Sequence, residues 1–205
     1  MAKAPTHDTY HHGNLKAALV RAGLAMLEEA GLERLSLRGI AARVGVSHTA
    51  PKNHFGGLGG LLSAIAAEGY RRHKIAMTEG LRQDATRQDR LHAAANGYVR
   101  FAQENPELFR LMFSPARLDF EAHGLGEAAR ASYAVLEGVS EGLAWTPLDG
   151  APVTEGRTEV MLWSAVHGYA HLLISGEVGL GPQAGTPPAT AVIPWLDYRS
   201  GKTRD

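Results

Sequence analysis

The stretch VSHTAPKNHF at 46–55 gathers Ser47, His48, Thr49, Lys52, Asn53 and His54 into one short segment. Hydroxyls, an amide and imidazoles both donate and accept hydrogen bonds, as base edges require, and the Lys52 ammonium suits phosphate. This is the chemistry of recognition rather than turnover. Three other spacings invite a chemical reading. GVSEG at 138–142 matches G-x-S-x-G, the nucleophile elbow of hydrolases, with Ser140 as nucleophile. That elbow needs a strand feeding a sharp turn, whereas Tyr133, Leu136, Val139 and Leu143 mark a helical face. GLGG at 57–60 lacks the Lys-Ser/Thr of a P-loop and follows no strand, so it reads as a connection. His167 and His171 share a helix face with Trp163, a spacing open to a metal, but no HExxH and no acidic company attend them. Packing or pocket lining is the preferred reading, and no catalytic residue, metal or cofactor is expected.

The elements that must position the recognition segment are helical. From Asn14, Leu15, Ala18, Leu19, Ala22 and Met26 recur at three- and four-residue steps until Gly31. Ser36 can cap a second helix with Leu37, Ile40, Ala41 and Val44 on one face, ended by Gly45. Ser47 is the expected N-cap of a third, closed by Phe55, in which Pro51 falls at the fourth position and keeps it short and partly 3₁₀. Two short helices joined at Gly45–Val46 behind a longer one have the spacing of a helix-turn-helix. Gly45 permits the turn, Val46 plugs the gap, and the N-terminus of the third helix can face phosphate.

Beyond the GGLGG loop, Leu61, Leu62, Ile65, Ala66 and Tyr70 predict a long helix to about Gly80. Amphipathic segments follow at about 88–104, 106–113, 127–144 and 155–175, with Asn105–Pro106 as a cap and first helical proline. Nothing reads as a sheet, so the predicted fold is all-α: a helix-turn-helix domain over 1–70 and a helical bundle over 71–205, irregular from about 179. The latter stretch holds four of the ten prolines.

Composition agrees with a folded chain of one or two domains, 205 residues with 44% hydrophobic and 20% charged. The absence of cysteine excludes a disulfide scaffold and thiolate chemistry. With neither an apolar run of membrane-spanning length nor a signal-like start, a cytoplasmic protein is expected. Net charge is zero but segregated: residues 1–74 carry ten Lys/Arg against five Asp/Glu, the remainder eleven against sixteen. A basic third ahead of an acidic remainder suggests a polyanionic partner for the former.

The run YHHGNLKAALVRAGLAMLEEAGLERLSLRGIAARVGVSHTAPKNHF resembles the N-terminal DNA-binding domain of the tetracycline-repressor (TetR) family, over about residues 10–70. Trp163, His167 and Gly168 in LWSAVHGYAHLL match the Trp–His–Gly signature of one subfamily. The resemblance implies a ligand-responsive transcriptional regulator, a repressor without catalytic activity, binding a pseudo-palindromic double-stranded DNA operator as a homodimer. It implies DNA contacts from Ser36, Arg38, His48, Thr49 and His54, with Phe55 anchoring the recognition helix, and the chemistry of Ser47, Lys52 and Asn53 adds them to the expected contacts. Two departures stand out: Lys52 where tyrosine is common, and Gly57 and Leu58 where a cap and a lysine usually open the fourth helix. Lys52 is expected to supply the missing charge. Its alternative is a merely exposed lysine and weaker DNA binding.

A small-molecule effector would be enclosed by Tyr98, Phe101, Phe109, Met112, Phe113, Trp163 and His167, with ordinary core packing the competing reading for each. The tail is expected to bring Trp195 and Tyr198 to the dimer in place of a final helix. A hydrolase using Ser140 and a non-specific architectural DNA-binding protein are the alternatives from other classes.

Overall fold

A computed structural model describes residues 9–145, 156–177, 189 and 197–198. Eight α-helices lie among them: α1 (Thr9–Ala30), α2 (Leu37–Val44), α3 (Ala50–Phe55), α4 (Leu58–Thr78), α5 (Arg87–Glu104), α6 (Pro106–Met112), α7 (Leu125–Ser140) and α8 (Arg157–Ile174). Strand pairing among the described residues is limited to a two-residue antiparallel ladder, β1 (Leu143–Ala144) with β2 (Asp197–Tyr198), in which Leu143 faces Tyr198. The fold is therefore all-α, but the tail is not irregular throughout, because Tyr198 joins this ladder. Trp195 lies outside the described residues.

The chain forms two compact units that are not contiguous in sequence. Residues 1–70 and 105–128 make one, residues 71–104 and 129–205 the other. A single cut after Tyr70 cannot describe this, since α6 belongs with the first unit. The physical reason is a long-range cap. Proline at the start of α6 leaves the next N–H groups without helical partners, and the Asn105 side chain makes no cap bond. Instead the Leu108 N–H donates to the Glu28 carboxylate of α1 at 2.8 Å. Burial pushes the Glu28 carboxyl above its usual range, and this backbone bond opposes the rise.

Leu19 and Leu27 of α1, Ile40 of α2, Phe55 of α3, Leu61 and Ile65 of α4, and Leu108 and Phe109 of α6 form the core of the first unit. Tyr70 donates its hydroxyl to the Met112 carbonyl at 2.9 Å, and burial pushes its phenol up to about 12. In the second unit α5 and α8 make the most extensive pairing, and Leu91, Tyr98, Phe101, Leu162, Val166 and Ala170 are buried there. At the head of α5, the Thr86 N–H donates to the Asp89 carboxylate at 2.9 Å and the Asp89 N–H to the Thr86 hydroxyl at 3.1 Å, a reciprocal capping box.

Glu28→Ala should destabilise the first unit by about 1–2 kcal/mol, the range for losing a helix cap. Glu28→Gln, which keeps an acceptor oxygen, should lose less. Urea unfolding midpoints of the two variants check the order.

Candidate functional site

The turn between α2 and α3 fixes the exposed segment. Ser36 accepts from the Gly39 N–H at 3.1 Å and caps α2 as expected. Gly45 ends it in the left-handed region at φ 77°, ψ 32°, a conformation that strains residues bearing a Cβ. The Val46 N–H then returns to the Ala41 carbonyl at 3.0 Å. Helix α3 starts at Ala50, later than the Ser47 cap predicted from the sequence. Ser47 opens the preceding turn instead: its hydroxyl lies 2.9 Å from the Thr49 hydroxyl and accepts weakly from the Thr49 N–H, while Thr49 holds the cap position without a side-chain cap bond. Pro51 consequently falls in the first turn, where no donor is lost, and not at the fourth position.

Pro51 and Phe55 are buried while Ser47, His48, Thr49, Lys52 and Asn53 are exposed and His54 is half-buried. Ser36 and Arg38 are exposed at the start of α2. The residues predicted to meet DNA are thus brought to two short consecutive helices whose apolar side chains turn inward. Phe55 is gripped from beyond its own helix, with the His123 ring edge-on at 5.3 Å and the Lys16 ammonium 5.8 Å from its centroid. Sequence reasoning missed Gly60. A Cβ there would lie 1.9 Å from the Phe55 carbonyl oxygen, so the backbones of α3 and α4 meet in contact only glycine allows. The glycines that read as a missing cap include one that seats the recognition helix.

The second unit holds a different kind of site. Trp163 Nε1 donates to the Tyr98 hydroxyl at 3.2 Å, and that hydroxyl lies 2.7 Å from His167 Nδ1. The His167 ring stands 4.5 Å from that of His171. Tyr98, Trp163 and His167 are therefore together, as predicted, and Phe101 joins them through His73, whose ring lies 4.5 Å from Tyr98 and 5.1 Å from Phe101.

Phe109, Met112 and Phe113 fall in the first unit, where Phe109 packs at a tilt on Phe113 at 4.9 Å and Met112 packs against Gly69.

Nothing in the RRHK run suggests that His73 is buried, although the spacing Leu62, Ala66, Tyr70, His73, Met77 marks it as part of the inner stripe. Its exposure is 3%, its Nδ1 lies 2.9 Å from the Ser132 hydroxyl, and its Nε2 has no partner among the described residues. Burial, with a smaller contribution from His167, lowers its pKa to about 3. Burial, with His171, lowers that of His167 to about 4. Ser140 is also buried and donates to the Leu136 carbonyl at 2.6 Å inside α7, without the strand and turn a nucleophile elbow requires.

These features define a helix-turn-helix protein with a helical second unit, and known proteins share its fold. Residues 91–191 match the family described as tetracyclin repressor-like, C-terminal domain. A protein of unknown function from Rhodococcus sp. RHA1 is 29% identical, with 91% of this chain and 93% of that one covered and a TM-score of 0.65. A bacterial regulatory protein in the TetR family from Rhodococcus RHA1 is 21% identical, covering 86% of this chain and 90% of that one at TM-score 0.56. The TetR family transcriptional regulator PfmR from Thermus thermophilus is 18% identical, covering 85% and 91% at TM-score 0.51. The last two likenesses are of fold alone. No curated protein matches the sequence. Residues 91–191 are thus similar to the C-terminal domain of tetracyclin repressor-like proteins, and the fold of the chain is that of TetR family regulators.

Because His73 is held neutral when folded but titrates near 6.5 when unfolded, the unfolded chain binds more protons below that pH. Stability is therefore complete above about pH 6.5 and falls as the pH drops towards 3. Lowering the pH from about 7 to about 5 should remove about 2 kcal/mol through this residue. Urea unfolding at the two pH values should show His73→Gln losing that much less than the natural chain.

Proposed function

We propose that this protein is a homodimeric repressor, acting in the cytoplasm, that holds a pseudo-palindromic operator until a small-molecule effector binds its second unit. The observation that carries the reading is the exposed set His48 and Thr49 in the turn before α3 with Lys52 and Asn53 on that helix, which Pro51 and Phe55 anchor. In this reading His48 and Thr49 meet base edges, Lys52 and His54 meet phosphate, and Ser36 and Arg38 contact the backbone from α2. Lys52 supplies the charge that Leu58 does not, beside a first turn of α4 where a Cβ on Gly57 or Gly59 would meet open space.

One two-turn helix reads few base pairs, so useful specificity needs two copies. Helix α8 offers a surface for the second. Val160, Ser164, Gly168 and Leu172 recur every fourth residue and are exposed, with Val160 at 57% and Leu172 at 44%. A Cβ on Gly168 would meet nothing within 4 Å among the described residues, so they give the signature glycine no steric role. Close approach of the partner's α8 supplies one, and it accords with the Trp–His–Gly subfamily. Helix α4 contributes to both units, which gives an effector bound near His73 a continuous element through which to act.

Fluorescence anisotropy with the DNA upstream of its own gene, against a scrambled duplex and across salt, tests the reading. Preference for the upstream sequence is expected, with Thr49→Ala reducing it about tenfold. Lys52→Ala should flatten the slope of log K against log salt by about one per subunit. Equal affinity for both duplexes would instead indicate an architectural DNA-binding protein. By light scattering, Gly168→Leu should shift dimer to monomer while leaving helical content unchanged.

A further inference from the structure

Four helices each send a polar or aromatic group to one place in the second unit: His73 from α4, Tyr98 and Phe101 from α5, Ser132 from α7, and Trp163 and His167 from α8. A buried polar atom without a partner is rare in folded proteins and calls for an occupant. Among the described residues His73 Nε2 is such an atom. The aromatic rings beside it supply at most weak N–H···π contact, which does not replace a hydrogen bond.

The geometry points to His73 as the polar anchor for an uncharged hydroxyl compound with a flat apolar body, whose hydroxyl bonds Nε2 while its ring lies among Tyr98, Phe101 and Trp163. This inference rests on the reading of the chain as an effector-responsive regulator, and it names the class of effector.

A hydroxyl is favoured over other groups because of Ser132. Its Oγ can donate to His73 Nδ1, leaving Nε2 as a donor, or accept from Nδ1, leaving Nε2 as an acceptor. A hydroxyl answers either tautomer, whereas a carbonyl or ether answers one. Neutrality follows from the surroundings. Burial keeps both His73 and His167 uncharged at neutral pH, so a carboxylate at Nε2 would meet a neutral imidazole and not a cation. The flat body follows from ring geometry: His73 meets Tyr98 and Phe101 edge to face, and Trp163 bonds the Tyr98 hydroxyl.

Three one-ring probes separate these properties on the full chain without DNA: phenol, toluene of nearly the same shape but no hydroxyl, and benzoate as the anion. Binding is read by thermal shift and by tryptophan fluorescence. Phenol is expected to bind about tenfold more tightly than toluene, the scale of one net hydrogen bond, with benzoate weakest. His73→Phe should erase the phenol preference. Ser132→Ala, a helix-favouring change that removes the orienting hydroxyl, should reduce it severalfold and keeps the test valid if His73→Phe does not fold.

Equal binding of phenol and toluene, tighter binding of benzoate, or a phenol preference that survives both variants would overturn the inference. So would no binding of any probe, which would leave only a buried water at Nε2. None of these results touches the preference for upstream DNA, so failure of this inference and failure of the regulator reading are distinguishable.

Discussion

A helix of six residues does not persist alone, because closing the first turn fixes several dihedrals for one hydrogen bond. Helix α3 exists because Pro51 and Phe55 are buried and because the Phe55 carbonyl abuts Gly60 at the head of α4. Everything outward of that contact follows from it. With two side chains turned inward and the Gly56 N–H closing on the Lys52 carbonyl at 2.8 Å, the remaining positions face water. Those positions carry hydroxyl, amide, imidazole and ammonium groups in a rigid array. Segregated charge adds a long-range attraction that brings a polyanion to the same end of the sequence.

The second unit solves a different problem. It buries polar groups that an ordinary core would exclude, and it satisfies most of them through Trp163, Tyr98, His167 and Ser132. His73 is the exception, an imidazole enclosed with one nitrogen unanswered. Leaving such a group buried costs roughly 1–3 kcal/mol. A ligand that completed the bond would recover that loss only in the conformation that binds it, and in the proposed function that difference is what would bias α4.

Local features were legible in the sequence to the extent that their causes are local. The Ser36 cap, the left-handed Gly45, the apolar periodicity of α1, α4, α5 and α8, and the proline at the head of α6 each depend on neighbours a few residues away. What was not legible depends on distant partners. Asn105 looks like the cap of α6, but Glu28 some eighty positions earlier provides the bond. Phe109, Met112 and Phe113 follow in the same helix and the residue after it, and they fall in the first unit. Gly60 read as a weak helix start because the Phe55 carbonyl it accommodates is a tertiary contact. His73 was hidden inside a basic run whose other members are exposed or half-buried, and only its place in the apolar stripe marks it.

The central claim is that α3 enters a DNA groove as one of a symmetric pair. Hydroxyl-radical footprinting of the full chain on DNA upstream of its own gene tests this most directly. The account predicts two equivalent protected patches separated by about one helical turn, or a small multiple of it, and abolished together by Phe55→Ala in a chain that keeps its helical content. A single patch, uniform protection without sequence preference, or a footprint that survives loss of the Phe55 anchor would contradict it.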